Sequence, residues 1–361
     1  MFIHVPIAMA EISPEKMSKT TLTEPSPTWI MARASSGPNY IFDAATGDML
    51  GMLSLTKYTP SVEVNLDRDE IYAAESYYSR GYRGERTDVV TIYDSKTLSP
   101  TAEIQIPKKI AAFSFKEYIG LLDNKKYLGV FNLTPAQSVT IVDIENRTFI
   151  GEISTPGCSL IMPSEQRSFM QICGDGTLQL VTLDASGKES ARTRSESIFH
   201  IDEDPIYDKP VRIRNGWLLL SFEGQVFEAS YQAGKIALTD PWSILTEEDK
   251  AESWKPGGGQ VLAHHQKLDL MFTLMHQGGK DTHETFGTEV WVFNKSTRKR
   301  IARVKLETEG FNLFVSQNDK ALLTVSGSDS SLDVYDVVTT KRLRSITEVG
   351  GFVGLLQGFD R

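Results

Sequence analysis

The chain has 361 residues, of which 40% are hydrophobic and 24% are charged, and its net charge is −9. Acidic and basic residues are interspersed and no long basic block occurs, which argues against nucleic acid as a partner because phosphate binding needs a concentrated positive surface. No apolar run approaches the roughly 18 residues that span a bilayer, so the sequence predicts no membrane span.

The first residues, Met1–Ala10, form a short apolar stretch that ends in Ala8-Met9-Ala10. Small residues at Ala8 and Ala10 fit a signal-peptidase site, although a positively charged start is missing. We therefore keep two interpretations, the tail of an export signal and an ordinary N-terminus. Residues 1–27 are predicted to be a signal remnant or arm, and residues 28–361 the folded domain.

A short pattern recurs about every 49 residues through the rest of the chain. It consists of alternating β-branched and aromatic residues, an Asp or Asn, and a polar turn, which is typical of a hairpin between two strands. The seven matches are Tyr40–Leu50, Val90–Leu98, Val139–Ile150, Leu180–Lys188, Val226–Lys235 (which lacks the Asp), Val290–Arg298 (with Asn for Asp) and Leu332–Lys341. This spacing fits four-stranded propeller blades. We therefore predict an all-β fold, a seven-bladed β-propeller of four-stranded antiparallel blades.

The segment Ser79–Asp88 is unusually rich in charge for a connection between two strands. It contains Arg80, Arg83 and Arg86. One interpretation is a solvated loop. The other is a contact for a partner chain, because guanidinium groups form interface ion pairs well.

Cys158 and Cys173 are the only cysteines, and they bracket a segment that is predicted to be a hairpin. Two cysteines in a chain of this size are usually buried thiols. The ends of a hairpin, however, lie close enough for a disulfide, which would place the protein in an oxidising compartment.

Two features remain in the C-terminal half. Thr246–Trp254 is predicted to be a helix, capped by Thr246 and stopped by Pro256, and we interpret it as a lid or docking element. Four histidines and a glutamate form the best candidate for a metal site, but adjacent strand residues face opposite sides, so hydrogen-bonded loop histidines are the favoured interpretation. These residues are His264, His265, His276, His283 and Glu284. We predict no metal ligand and no catalytic residue in this chain.

Four long and idiosyncratic stretches carry a family resemblance: Arg80–Asp94, Arg167–Gly176, Pro241–Gly258 and Met275–His283. Through them the chain resembles the heavy subunit of the tryptophan tryptophylquinone amine dehydrogenases, and it looks closer to the aromatic (aralkyl) amine branch than to the methylamine branch. The resemblance runs from about residue 28 to near the C-terminus.

The resemblance implies a periplasmic enzyme that converts a small primary amine to an aldehyde and ammonia. The quinone would lie on a small partner subunit in a two-plus-two heterotetramer, no cofactor would be bound by this chain, and the electrons would pass to a copper protein or a c-type cytochrome. Arg80, Arg83 and Arg86 would then contact the partner subunit. The resemblance also implies a disulfide at Cys158 and Cys173, and an aromatic residue at the substrate channel, which falls on Tyr58 with Lys57 as the alternative. A stand-alone propeller that acts as an interaction scaffold is the alternative function.

Overall fold

The computed structural model describes residues 21–34, 39–59, 61–108, 115–134, 136–165 and 167–359. The predicted cleavage site at Ala8 and Ala10 lies outside the described residues. Within the described part, the regular secondary structure is almost entirely β-strand. The strands of its first half are β1 (Trp29–Ala34), β2 (Asn39–Asp43), β3 (Met49–Leu53), β4 (Val62–Asn65), β5 (Glu70–Tyr78), β6 (Arg86–Asp94), β7 (Pro100–Ile106), β8 (Ile119–Leu122), β9 (Tyr127–Asn132), β10 (Ser138–Asp143), β11 (Thr148–Ser154), β12 (Cys158–Ser164), β13 (Ser168–Cys173), β14 (Leu178–Leu183) and β15 (Glu189–Arg194).

The second half continues the same pattern and contains the α-helix α1 (Glu247–Ala251); a 3₁₀ turn (Lys116–Tyr118) precedes β8. Its strands are β16 (Val211–Ile213), β17 (Gly216–Leu220), β18 (Gln225–Gln232), β19 (Lys235–Leu238), β20 (Trp242–Ser243), β21 (Trp254–Pro256), β22 (Leu262–His265), β23 (Leu270–Gln277), β24 (Gly287–Asn294), β25 (Lys299–Val315), β26 (Leu322–Gly327), β27 (Leu332–Asp336), β28 (Arg342–Ile346) and β29 (Val353–Gly358). In the described part of the chain we find no helix with the length and hydrophobicity of a membrane span.

The described strands form an all-β propeller of antiparallel sheets. Five sheets are separate and blade-sized, with strand orders β29-β1-β2-β3, β4 to β7, β8 to β11, β12 to β15, and β16 to β19 with the short β20 added to β18. The sixth is a continuous eight-stranded sheet with the order β21-β23-β24-β25-β26-β27-β28, to which β22 adds by pairing with β23.

The prediction of a seven-bladed propeller of four-stranded blades is therefore wrong, because five separate blades are present and the remaining strands share one sheet. The cause lies in β25, which runs for 17 residues and pairs with β24 through one half and with β26 through the other. The last two repeats of the pattern thus fall in a single sheet. The repeated pattern identifies hairpins, but it carries no information about where one sheet ends and the next begins.

The first and last of the described strands meet in the first sheet. Strand β29 pairs with β1, from Ile30 opposite Gly358 to Ala34 opposite Val353. This pairing closes the ring of sheets and covers a strand edge that would otherwise be open to other chains.

The hairpin pattern is confirmed at the level of individual hydrogen bonds. Each Asp lies where the third strand of a sheet turns into its outermost strand. Oδ1 of Asp43 accepts from the amide of Ala45 at 2.8 Å, and Oδ1 of Asp336 accepts from the amide of Thr339 at 2.6 Å. At the match without an Asp, Gly234 closes the turn with φ +82°.

Apolar side chains pack between neighbouring sheets. Phe131 and Ile141 of the third sheet in chain order contact Ile161 and Phe169 of the next, and all four are fully buried. Face-to-face packing of this kind needs one apolar face on each sheet, which is the alternation that the sequence shows.

The predicted helix is present but shorter. Thr246 caps α1 in a capping box with Asp249, and the helix ends at Ala251 because Ser253 has a positive φ of +61° and Trp254 enters β21. Nη1 of Arg300 in β25 contacts Oδ2 of Asp249 at 2.8 Å, which fastens the helix to the side of the eight-stranded sheet.

Candidate functional site

The loops of the propeller fall on two opposite ends of the strands. Because neighbouring strands are antiparallel, the loop between the second and third strands of a sheet lies at the same end as the connection to the next sheet. We call this end the connection face. Its loops include 79–85, 174–177, 221–224 and 278–286, and its connections include 54–59, 195–210 and 347–352.

Two features that the sequence singles out separately lie side by side on the connection face. The ring of Tyr58, in connection 54–59, packs edge-on against Tyr78 at 5.3 Å between centroids. Nζ of Lys57 lies 4.9 Å from the ring centroid of Tyr82, which is 72% exposed. We call Lys57, Tyr58, Tyr78 and Tyr82 the aromatic corner. Tyr58 is half-buried, so one part of its ring is held by the chain and another part is open.

The arginine-rich loop is compact. Ser79 and Glu85 hydrogen-bond to each other across its base, and Gly84 has φ +105°, a conformation that favours glycine. Arg80 and Arg83 are exposed, and neither makes an ion pair with a described residue. Arg86 differs, because its guanidinium forms two hydrogen bonds with the buried Asp88, at 2.7 and 2.5 Å. A partner contact through these arginines stays a prediction, and Arg80 and Arg83 are better placed for it than Arg86.

A buried carboxylate lies beneath the aromatic corner. Glu75 of β5 has no exposed surface, and its oxygens accept hydrogen bonds from connection 54–59, from its own strand and from the neighbouring strand β6. The donors are the Thr56 amide at 2.9 Å, the Thr59 hydroxyl at 3.4 Å, the Tyr77 hydroxyl at 3.2 Å and the Tyr93 hydroxyl at 2.9 Å. Burial and the adjacent carboxylate raise the pKa of Tyr77 to about 12, so this phenol remains a donor at neutral pH.

The positive counterpart is Arg33 of β1, which is 5% exposed. Its Nη2 donates to the carbonyl of Thr59 at 2.6 Å, and its Nε donates to Oδ1 of Asn39 at 3.0 Å. Burial lowers the pKa of Arg33 to about 10 and the charge of Glu75 opposes that shift, so Arg33 is charged at neutral pH. Sequence reasoning missed both residues, although a charge inside an otherwise apolar strand, as in Ala73-Ala74-Glu75, is a readable signal.

A concave region lies elsewhere on the connection face. A cavity of about 450 Å³ opens between connection 195–210, Phe222 and loop 278–286. The ring of His283 stacks on Phe222 with 4.1 Å between centroids. The buried hydroxyl of Tyr207 donates to the carbonyls of Pro256 and His283, at 2.9 and 3.2 Å, and so fixes this wall.

The four clustered histidines do not converge. His264 and His265 lie at the end of β22 away from the connection face, where His264 Nε2 is 3.5 Å from Asp269. His276 and His283 lie at the connection face. Among the described residues, no group of three or more His, Cys, Asp or Glu side chains is placed to hold a metal ion.

A third cluster consists of Phe286, Phe311 and Phe352, with ring centroids 4.9 to 6.0 Å apart. All three are half-buried; Phe286 and Phe352 lie in loops of the connection face, and Phe311 lies beside them within β25. Aromatic groups that are only partly covered by their own chain are typical of protein interfaces.

Cys158 and Cys173 form a disulfide at the same face. They lie directly opposite each other in β12 and β13, at the ends of these strands that reach the connection face, and both are 1% exposed. Cys173 leads into loop 174–177, where the carbonyl of Gly176 accepts from the amide of Ile198 in connection 195–210.

Comparison with known proteins decides the family. Residues 30–356 match the family model of the methylamine dehydrogenase heavy chain. The chain belongs to this family. It is 31% identical to the methylamine dehydrogenase heavy chain of Methylophilus methylotrophus, over 86% of this chain and 77% of the relative, and 30% identical to that of Paracoccus versutus, over 86% and 73%.

The chain is thus a heavy subunit of an amine dehydrogenase, and the resemblance to heavy chains of quinone-dependent amine dehydrogenases is confirmed. Solved structures support the fold alone. A β-propeller domain from Myceliophteria thermophila superposes with a TM-score of 0.58 at 10% identity, over 90% of this chain and 99% of that domain. The dihydro-heme d1 dehydrogenase NirN gives a TM-score of 0.59 at 14% identity, over 95% and 78%.

Proposed function

We propose that this heavy chain is the non-catalytic subunit of a periplasmic amine dehydrogenase and that its connection face seats a small quinone-bearing subunit in a two-plus-two heterotetramer. The observation that carries this proposal is the set of half-covered groups on one face: the aromatic corner, the exposed Arg80 and Arg83, and the phenylalanine cluster. Large aromatic rings and arginines are the side chains that dominate protein interfaces.

The quinone would be tryptophan tryptophylquinone, built from tryptophans of the small subunit, and it would supply the two-electron oxidation of the amine. This heavy chain contributes a wall. The half-buried ring of Tyr58 offers a flat apolar surface, which fits an aromatic cofactor or an apolar substrate, and its rigid contact with Tyr78 keeps that surface in place. Such a wall excludes water and orients a primary amine without a reacting group of its own.

The substrate that we propose is a small primary amine of the aralkyl class. A tyrosine at the wall supports this choice, because an aromatic ring can pack against the ring of the substrate. Methylamine is the alternative, since the similar heavy chains are those of methylamine dehydrogenases. We propose a copper protein or a c-type cytochrome as the electron acceptor, and a periplasmic location is supported by the Cys158–Cys173 disulfide.

The test is purification of this chain from its native host, followed by mass analysis and a visible spectrum. We expect a small companion subunit and a quinone absorbance that a primary amine bleaches. Parallel titrations with 2-phenylethylamine and methylamine then identify the substrate class. A colourless propeller without a companion subunit would refute the proposal and favour the interaction scaffold.

A further inference from the structure

Connection 54–59 is held on both sides of the aromatic corner. The backbone amide of Thr56, two residues before Tyr58, donates to Glu75 at 2.9 Å. The backbone carbonyl of Thr59, the residue after Tyr58, accepts from Arg33 at 2.6 Å. Only Lys57 and Tyr58 lie between these two anchored positions.

The two anchors come from different sheets. Glu75 belongs to the second sheet in chain order, and its partner strand supplies a further donor, the hydroxyl of Tyr93, at 2.9 Å. Arg33 belongs to the first sheet, where Asn39 orients its guanidinium at 3.0 Å. The backbone that carries Tyr58 is therefore fixed relative to two sheets at once.

We propose that Arg33 and Glu75 are positioning residues that fix connection 54–59 and so set how tightly the amine substrate is bound at the ring of Tyr58. This inference rests on the proposed function for the role of Tyr58 as a channel wall. Neither residue touches the channel itself, because both are buried beneath the corner.

The chemistry of the anchors favours positioning over simple packing. A buried charged side chain stabilises a fold little more than apolar residues of similar volume, since removing the charge from water is costly. Its hydrogen bonds are nevertheless directional, and here they end on backbone atoms of the connection. A pair of apolar residues could fill the same space but could not hold those atoms.

The experiment compares Glu75→Gln, the double variant Arg33→Met/Glu75→Leu and the matched control Asp143→Asn in the assembled enzyme. The control perturbs another buried carboxylate, which accepts from the amide of Asn146 at 2.9 Å in the hairpin between β10 and β11, at the end of the strands opposite the connection face. Hydrogen exchange of residues 54–59, KM and kcat for the amine, and the unfolding midpoint are measured for each.

We expect the amides of the connection to exchange about tenfold faster or more in both Glu75 variants, because the hydrogen bond from Thr56 loses its charged acceptor in Glu75→Gln and is absent in the double variant. KM should rise by about tenfold while kcat changes by less than about threefold, which indicates lost ground-state binding. The double variant should recover the unfolding midpoint but not the KM, and the control should change neither exchange nor KM.

If hydrogen exchange of residues 54–59 is unchanged in the variants, Arg33 and Glu75 do not fix the connection, whether or not the enzyme is active. Faster exchange with an unchanged KM overturns the role in amine binding. If the wild-type complex oxidises no primary amine, the proposed function fails, while the exchange measurement still decides whether Arg33 and Glu75 fix the connection.

Discussion

Removal of the Cys158–Cys173 cross-link should destabilise the propeller by a predictable amount. The two cysteines are 15 residues apart. In the chain-entropy model, closing a loop of that length restricts the unfolded chain and stabilises the native state by about 3 kcal/mol. Since the two residues are already opposite each other in paired strands, the native hairpin needs little adjustment to accommodate the bond.

The assay is urea unfolding followed by tryptophan fluorescence, on three samples: the oxidised protein, the same protein fully reduced, and the double variant Cys158→Ala/Cys173→Ala. We expect both cross-link-free samples to lose about 3 kcal/mol of unfolding free energy. The dependence of the unfolding free energy on urea concentration should become slightly steeper, because the unfolded chain becomes less compact.

The reduced protein separates two causes that the alanine variant combines. It keeps both buried sulfur atoms, so its loss of stability reports the cross-link alone. Identical unfolding curves for the oxidised and reduced proteins would refute the reasoning. A loss confined to the alanine variant would instead assign the effect to packing of the two buried side chains.

Three further predictions concern the corner, the exposed arginines and a buried acid. Tyr58→Ala should raise KM for an aralkyl amine about tenfold, whereas Tyr58→Phe should change it less than about threefold, as measured by steady-state kinetics. Arg80→Glu/Arg83→Glu should weaken association with the small subunit by about tenfold or more in dilute buffer and by less in high salt; equal loss at both salt concentrations in a binding titration would contradict the electrostatic argument. Burial raises the pKa of Glu117 to about 7, and that of Glu63 also to about 7, so the folded state binds more protons than the unfolded state between about pH 4.5 and 7. Stability should then fall as pH rises through this window, by up to about 1.4 kcal/mol per pH unit for each group, and Glu117→Gln should reduce that fall in urea unfolding curves recorded at several pH values.

The sequence predicted the hairpins well because their signals are local. An Asp that accepts from an amide two or three residues later acts within one turn, so the same letters give the same turn at Asp43, Asp94 and Asp336. A hairpin with a cysteine at each end made the disulfide possible without excluding buried thiols, and the family resemblance implied the bond that the structure contains. The end predicted for α1 was less accurate. The helix stops at Ala251, and Trp254 already belongs to strand β21, so Pro256 is not what ends it.

The division into sheets was wrong for the opposite reason. Strand β25 pairs with both β24 and β26 and so joins two repeats in one sheet. Its path depends on packing between residues that are distant in sequence, and a local repeat pattern cannot show such packing. The contacts of Tyr58 with Tyr78 and of Lys57 with Tyr82 were likewise beyond local signals. The sequence identified Tyr58 and loop 79–85 as two separate candidates. Their proximity depends on a connection and a loop that reach the same end of neighbouring sheets, which no local pattern shows.

The chemistry of the turns also supports the proposed role of the connection face. At the opposite end, the tight Asp-capped hairpins satisfy their own amides, so few groups remain to bind a partner. Connections between sheets are longer and also depend on hydrogen bonds from other elements. Connection 54–59 makes a turn of its own between Thr56 and Thr59 and is further held by Glu75 and Arg33 of the strands beneath it. The side chains of Lys57 and Tyr58 pack against Tyr82 and Tyr78 at the surface. A hairpin pattern in a sequence of this kind thus identifies the closed end of the ring, and the site is expected at the other.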